Sequence, residues 1–262
     1  MNNFIVLAAK ESVQMVRDVK VIWLPLVFIF LGITQPVLTY YLPSILGALG
    51  GSQGIIIDPS MVAQKGGEVL ASTLGSQFDQ LGIMIIAISM MGIIQTDKAN
   101  GMLAFILTRP VSVFSYIGGK IAANYLIASF SVMTGYFTSY LYVNYLFPNV
   151  PFLDMITALF FYLIWVLLMV SFTTMISTLF DSPGVIALIS IVFLFGCRII
   201  VGLSPVIDFV NPASMSKHAM EVLITGSVNV NALVNILVAL FWIALTLFIT
   251  NYWITHKKFR NE

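Results

Sequence analysis

Apolar and polar positions divide the chain into one amphipathic segment and a series of long apolar runs. Residues 3–19, wound at roughly 100° per residue, place Phe4, Ile5, Ala8, Ala9, Ser12, Met15, Val16 and Val19 on one side of a helix. Lys10, Glu11, Gln14, Arg17 and Asp18 occupy the other side, with Val6, Leu7 and Val13 falling among these charges. An apolar side opposed to a charged one suits a helix lying in the plane of a membrane interface. An ordinary helix packed on its neighbours shows the same pattern.

The runs that follow are long enough to cross a bilayer, which takes about 20 mainly apolar residues. They predict six spans, over 21–42, 78–96, 114–143, 153–179, 185–203 and 232–255. The second has a short apolar core, Leu81 to Ile94, so its helix either starts before Phe78 or crosses with little tilt. Pro25 and Pro36 are placed to bend the first. Tyr40, Tyr41, Tyr142, Tyr145, Trp242, Tyr252 and Trp253 lie mostly near span ends, where aromatic rings favour the interface. The runs do not alternate as barrel strands do. The backbone must therefore satisfy itself within helices, and the fold class is an all-α membrane protein. Residues 1–20 form the interfacial helix and residues 21–262 a single six-helix transmembrane domain.

Composition agrees with this reading. Hydrophobic residues make up 59% of the chain and charged residues 9%, against about 25% charged in soluble domains. A net charge of +1 gives no reason to expect a nucleic-acid partner, and a single cysteine, Cys197, excludes an intramolecular disulfide. The first apolar run leads to Pro43 and Ser44 without a small-residue cleavage site, so the start of the chain reads as mature protein.

Basic residues set the orientation. Lys10, Arg17 and Lys20 precede the first span, Lys98, Arg109 and Lys120 flank the link between spans two and three, and Lys257, Lys258 and Arg260 form the tail. The opposite side has Lys65 and Lys217, with Asp58, Glu68, Asp79, Asp154, Asp208 and Glu221. The positive-inside rule puts both termini in the cytoplasm of a multi-pass protein of the inner or plasma membrane.

Several chemistries lack their residues. Gly119-Lys120 is the nearest approach to a P-loop, but Phe114 stands at the first glycine position and Ile121 at the Ser/Thr position. His218 and His256 are far apart, so no H-E-x-x-H pair or structural zinc set arises. No G-x-S-x-G elbow is present. No catalytic residue, metal ligand or cofactor site is expected in this chain. Arg198, in span five, is the one charge at membrane depth. Such a charge suggests function, and it is also explained by snorkelling to the interface or by pairing with Asp208.

The link from Gln95 to Ser112 carries the most specific pattern. Ala99, Met102, Leu103 and Ile106 form an apolar stripe at helical spacing; Asn100, Gly101, Ala104 and Thr108 form a small, polar side. Pro110 ends the helix and pushes Arg109 out of the α region. The product is a short helix across the cytoplasmic face with a stiff corner. Taken alone, it suits a helix resting on lipid headgroups as well as one that contacts another protein.

This link resembles that of the ABC-2 permeases, which typically reads as an acidic patch followed by G-T-L-E-x-L-L-T-R-P-V-S. Gly101, Leu103, Leu107, Thr108, Arg109, Pro110, Val111 and Ser112 match; Met102 and Ala104 depart, and Asp97 alone remains of the acidic patch. Gly119-Lys120 at the start of the third span and Asn211-Pro212 before the last are also similar to the family. The resemblance implies a permease subunit of an ATP-driven transporter, paired with an identical or homologous permease and with two ATPase subunits that bind ATP and Mg. Asp97, Lys98, Asn100, Gly101, Ala104, Thr108, Arg109 and Pro110 would then form the ATPase-coupling contact. Spans two and five would line the path, with Ser89, Met90, Met91, Ser190 and Arg198 as candidates; ordinary helix packing also explains the first four. Few internal charges favour export of a hydrophobic or amphipathic cargo such as a lipid, peptide or drug. A secondary transporter, or a membrane-resident immunity or binding protein without an ATPase, is the alternative.

Overall fold

The computed structural model describes residues 3–50, 65–108 and 112–256, and it is helical throughout, without strands among these residues. Helix α1 (Asn3–Arg17) meets α2 (Lys20–Gly50) at a sharp joint, where Val19 takes φ +57°. A β-branched residue is strained in that region. Helix α2 runs unbroken through Pro25, Pro36 and Pro43. The second apolar run comprises α3 (Gly66–Ser72), a π-helical stretch (Thr73–Gly82), α4 (Ile83–Met90) and, after a turn, α5 (Gln95–Ala99). Helix α6 (Met102–Leu107) completes the link to α7 (Val113–Leu146), whose first turn is capped by Ser112 Oγ accepting from Ser115 N at 3.1 Å. Then come α8 (Phe152–Leu179), α9 (Pro183–Ile199), α10 (Pro205–Val210), α11 (Ser214–Thr225) and α12 (Ala232–His256).

Among the described residues, five helical runs are long and apolar enough to cross a membrane: Lys20–Ile45, Gly66–Ala99, Val113–Leu146, Phe152–Leu179 and Ala232–His256. The second begins at Gly66, well before the expected Phe78, which resolves its short apolar core in favour of an earlier start. Helix α9, the fifth predicted span, has 17 residues and is shorter than these.

Helix α8 is the centre of the bundle. It packs against α4, α7, α9, α11 and α12, and it buries Tyr162 and Trp165 completely. Lipid tails are as apolar as leucine, so burial of oily surface cannot by itself drive helices together in a membrane; close backbone approach does. The α2–α7 crossing supplies it. Gly32 and Gly135 face each other there, and a Cβ on either would overlap a backbone carbonyl across the crossing. Phe28 fills the adjoining space edge-on to Phe78, with ring centroids 5.2 Å apart. At one end of the bundle, α11 folds back against α3 and α8. Gly67 touches the backbone of Leu223 there, and Gly226 ends α11 at φ +67°.

Gly135→Ala should therefore lower stability by about 1–3 kcal/mol, the usual effect of overpacking a tight contact. Gly196→Ala, on α9 with nothing near its Cβ, should leave stability unchanged or slightly raised. Thermal unfolding of the two variants in the same detergent checks this, and equal midpoints would show that the crossing does not depend on its glycines.

Candidate functional site

The end of the bundle that carries α1 is organised by one lysine. Gly118 and Gly119, in the first turns of α7, leave room for α1: a Cβ on Gly119 would stand 3.2 Å from Leu7 Cβ and 3.3 Å from Ala8 N. The close approach brings Glu11 of α1 to Lys120 of α7. Lys120 Nζ lies 3.0 Å from Glu11 Oε2 and 3.0 Å from Asp97 Oδ2, and it donates to the carbonyl of Ile93 at 2.6 Å. Asn124 Nδ2 donates to Glu11 Oε1 at 3.0 Å, and Tyr116 OH to Asp97 Oδ2 at 2.7 Å. Glu11, Asp97 and Lys120 are all buried. Charges persist in such a place only when paired and hydrogen-bonded, and here one ammonium serves two carboxylates while neutral donors engage both.

Helix α1 thus differs from the two-sided helix expected. Glu11, read as part of its polar face, points inward with Leu7, Ala8 and Met15 because Lys120 awaits it. Ile5, Val13 and Val16 remain exposed on another face, and Lys10, Gln14 and Arg17 on a third.

A second set of bonds fixes the link to α8. The helix of the second run breaks over residues 91–94. Ser177 Oγ accepts from the freed N–H groups of Ile94 and Gln95, at 3.2 and 3.0 Å, and donates to Met91 O at 2.9 Å. Lys98 Nζ donates to Thr178 O and Phe180 O at 3.0 and 2.6 Å, and pairs with Asp181 Oδ1 at 2.7 Å. A lysine on the last carbonyls of a helix also complements its dipole.

Asp97 and Lys98 are consequently turned into the protein. Asn100, Gly101 and Thr108 are exposed. Gly101 has a role beyond smallness: at φ +67° it turns the chain between α5 and α6, so the expected single helix is split in two. Leu103 and Ile106 are buried, whereas Ala99 and Met102 stay exposed. Ala104 lies within α6; Arg109 and Pro110 fall outside the described residues.

The other end of the bundle holds a second buried charge. Asp79, in the π-helical stretch, is fully buried and receives Arg198 Nε of α9 at 2.5 Å, Tyr162 OH of α8 at 3.1 Å and Ser216 Oγ of α11. Arg198 therefore neither snorkels nor pairs with Asp208 as expected. Asp208 pairs with Lys217 Nζ at 2.8 Å and accepts from Gly202 N at 2.7 Å. The charge pattern along the chain groups Asp79 with the acidic residues of the aqueous side, whereas it is buried among the helices. An intramembrane arginine needs an anion at its own depth, and that requirement is the signal which points to Asp79. Asn211, of the Asn-Pro pair, secures the turn from α10 to α11 by donating to Cys197 O at 2.6 Å and accepting from Ala213 N at 3.0 Å.

The path candidates sit on neighbouring helices, α9 packing along α4. Ser89 is half-buried and its carbonyl accepts from Lys20 Nζ; Met90 is buried; Met91 lies at the helix break. Ser190 is buried with no hydrogen-bond partner among the described residues.

Apolar helical runs of spanning length, tied to their links by buried ions, define a multi-pass helical membrane protein. Residues 5–257 match the family described as "ABC-2 family transporter protein". A relative from Bacillus subtilis (strain 168), "Uncharacterized transmembrane protein YxlG", is 34% identical over 220 residues, covering 84% of each chain. The chain belongs to the ABC-2 transporter family, a family of permeases that are membrane components of transport and normally work with ATPase subunits.

Lys120→Met leaves Glu11 and Asp97 without a cation and should cost about 3–5 kcal/mol. Adding Glu11→Gln and Asp97→Asn should restore much of it; urea or thermal unfolding of the single and triple variants in detergent provides the comparison. At the other end, Arg198→Ala strands a fully buried carboxylate and should cost a similar 3–5 kcal/mol. Arg198→Ala with Asp79→Asn should recover most of the loss, whereas Arg198→Ala with Asp208→Asn should recover none, which separates the two pairings.

Proposed function

We propose that this chain is the membrane-spanning permease of an ATP-driven exporter for a hydrophobic or amphipathic cargo. Two permeases, identical or homologous, would work with two ATPase copies that bind ATP and Mg. Both termini lie in the cytoplasm in this reading, and α9 serves as the sixth span. The observation that supports it most is the anchoring of the link over residues 91–108. Lys120 and Tyr116 hold its start to α7 and, through Glu11, to α1, while Ser177 and the carbonyls of Thr178 and Phe180 hold it to α8. A push on the exposed edge at Asn100, Gly101 and Thr108 would therefore move three helices together rather than bend a loose loop. Asp97 and Lys98 act here as the anchor of the coupling element, while Asn100, Gly101, Ala104, Thr108, Arg109 and Pro110 form its contact edge. Ser89, Met90, Met91, Ser190 and Arg198 remain the candidate lining of the path.

Affinity purification of the tagged chain from its native membranes should recover a P-loop ATPase. Asn100→Trp and Arg109→Glu should each weaken that association about tenfold, equivalent to about 1.4 kcal/mol, or leave hydrolysis uncoupled from cargo movement in proteoliposomes. Lys65→Glu, on the opposite end, should change neither property. Wild-type association and transport in both link variants would remove the coupling role, and absence of any ATPase would favour a binding or immunity protein.

A further inference from the structure

We propose that Lys20 is a positioning residue of the transport cycle: its ammonium ties the joint between α1 and α2 to the end of α4, where the path candidates Ser89 and Met90 stand. This role rests on the coupling proposed above and adds a second connection to it, separate from the link over residues 95–108. Lys20 Nζ donates to the carbonyl of Ser89 and lies 4.0 Å from Met90 Sδ.

A lysine at this point in the sequence has an easier place to go. Lys20 is the first residue of α2, at the start of a span, where a long cationic side chain ordinarily snorkels to the aqueous side. A cation in the first turn of a helix also opposes the dipole of that helix. Lys20 is instead half-buried and turned across to α4. Its charge stands at the unfavourable end of its own helix and at the favourable, C-terminal end of another. It forms no ion pair among the described residues, and Glu11 and Asp18 act on it from a distance. The carbonyl of Ser89 is open to it because the helix breaks next door: the N–H of Ile93, its regular α-helical partner, bonds Met90 O at 3.1 Å instead.

The joint aims this side chain. Val19, immediately before Lys20, holds φ +57°, a conformation that a β-branched residue adopts under strain. Such strain persists only where the surroundings over-determine it, and here both sides of Val19 are held. Helix α1 is fixed on α7 by Glu11 and Lys120, and Lys20 is fixed on α4. A displacement of α1 therefore reaches Ser89 and Met90 through one side chain, just before the break, while Ser177 and Lys120 hold the break itself. Capping the end of α4 alone would not require a strained joint to deliver the cap; a connection to α1 does.

Spin labels test the connection directly. In a Cys197→Ser background, which removes the native thiol, labels are attached at Val13→Cys on α1 and Ile88→Cys on α4, both exposed positions. Pulsed electron paramagnetic resonance of the full chain in nanodiscs should give one narrow distance distribution. Lys20→Met should at least double its width, and Lys20→Arg, which keeps the charge and the donors, should not. A second pair, Ile88→Cys with the exposed Phe160→Cys on α8, should be unchanged in all three proteins, which separates a lost connection from a loosened fold. In the complex with its ATPase, trapping with ATP and vanadate should change the mobility spectrum of the label at position 88. Lys20→Met should abolish that change while hydrolysis by the complex stays within about twofold of the wild-type rate; Lys20→Arg should restore it. An unchanged width in Lys20→Met, equal broadening of both pairs, or a nucleotide response that survives Lys20→Met would overturn the proposal. A wild-type complex that shows no nucleotide response would instead remove the coupling on which the role rests, and the widths measured on the chain alone keep the two failures apart.

Discussion

The ammonium of Lys120 is the constraint on which the α1 end of the protein depends. A lysine buried in a low-dielectric bundle must find counter-charges, and those in reach are Glu11, from a helix that precedes the spans, and Asp97, from the link that follows the second run. Satisfying one cation therefore folds three separated parts of the sequence onto each other. The glycines beside it make that geometry accessible, since Gly119 allows α1 to lie directly on α7. The remaining lone pairs are taken by Tyr116 and Asn124, both on the same helix as Lys120. Such a junction contributes less to net stability than an apolar core of equal volume would, but it fixes register strongly, because sliding any partner leaves a charge stranded.

The same logic recurs at the other end with different parts. Asp79 is satisfied by Arg198, Tyr162 and Ser216, which belong to three helices. Helix α8 is common to both ends, giving Tyr162 to one network and Ser177 with its terminal carbonyls to the other. The π-helical stretch carries Asp79, and with it one of these two fixed points. Wide-turn segments of this kind are often found at functional sites, and here it sets the carboxylate facing three other helices.

For a membrane transport protein this arrangement has a mechanical meaning. A bilayer supplies little force between helices, so rigidity comes from close glycine crossings and from buried ion clusters. The link over residues 91–108 is rigid at its start and open at its edge. In the proposed coupling role that combination would transmit displacement, whereas a link held by lipid alone would absorb it.

The sequence by itself determined the solvent and the class of fold. Apolar runs of spanning length leave no other state for a chain with 9% charged residues. It also located the link, since Gly101 and the Thr-Arg-Pro-Val-Ser run are local patterns. Pairings between distant charges were decided by tertiary structure alone. Helical periodicity placed Glu11 on a polar face, and nothing within α1 reveals that this face meets Lys120 more than a hundred residues later. Arg198 announced that it needed an anion, yet the choice of Asp79 over the nearer Asp208 depends on which way α9 faces. The two carboxylates differ little in local context. What separates them is depth in the bundle, a property of the packed helices rather than of any segment of the chain.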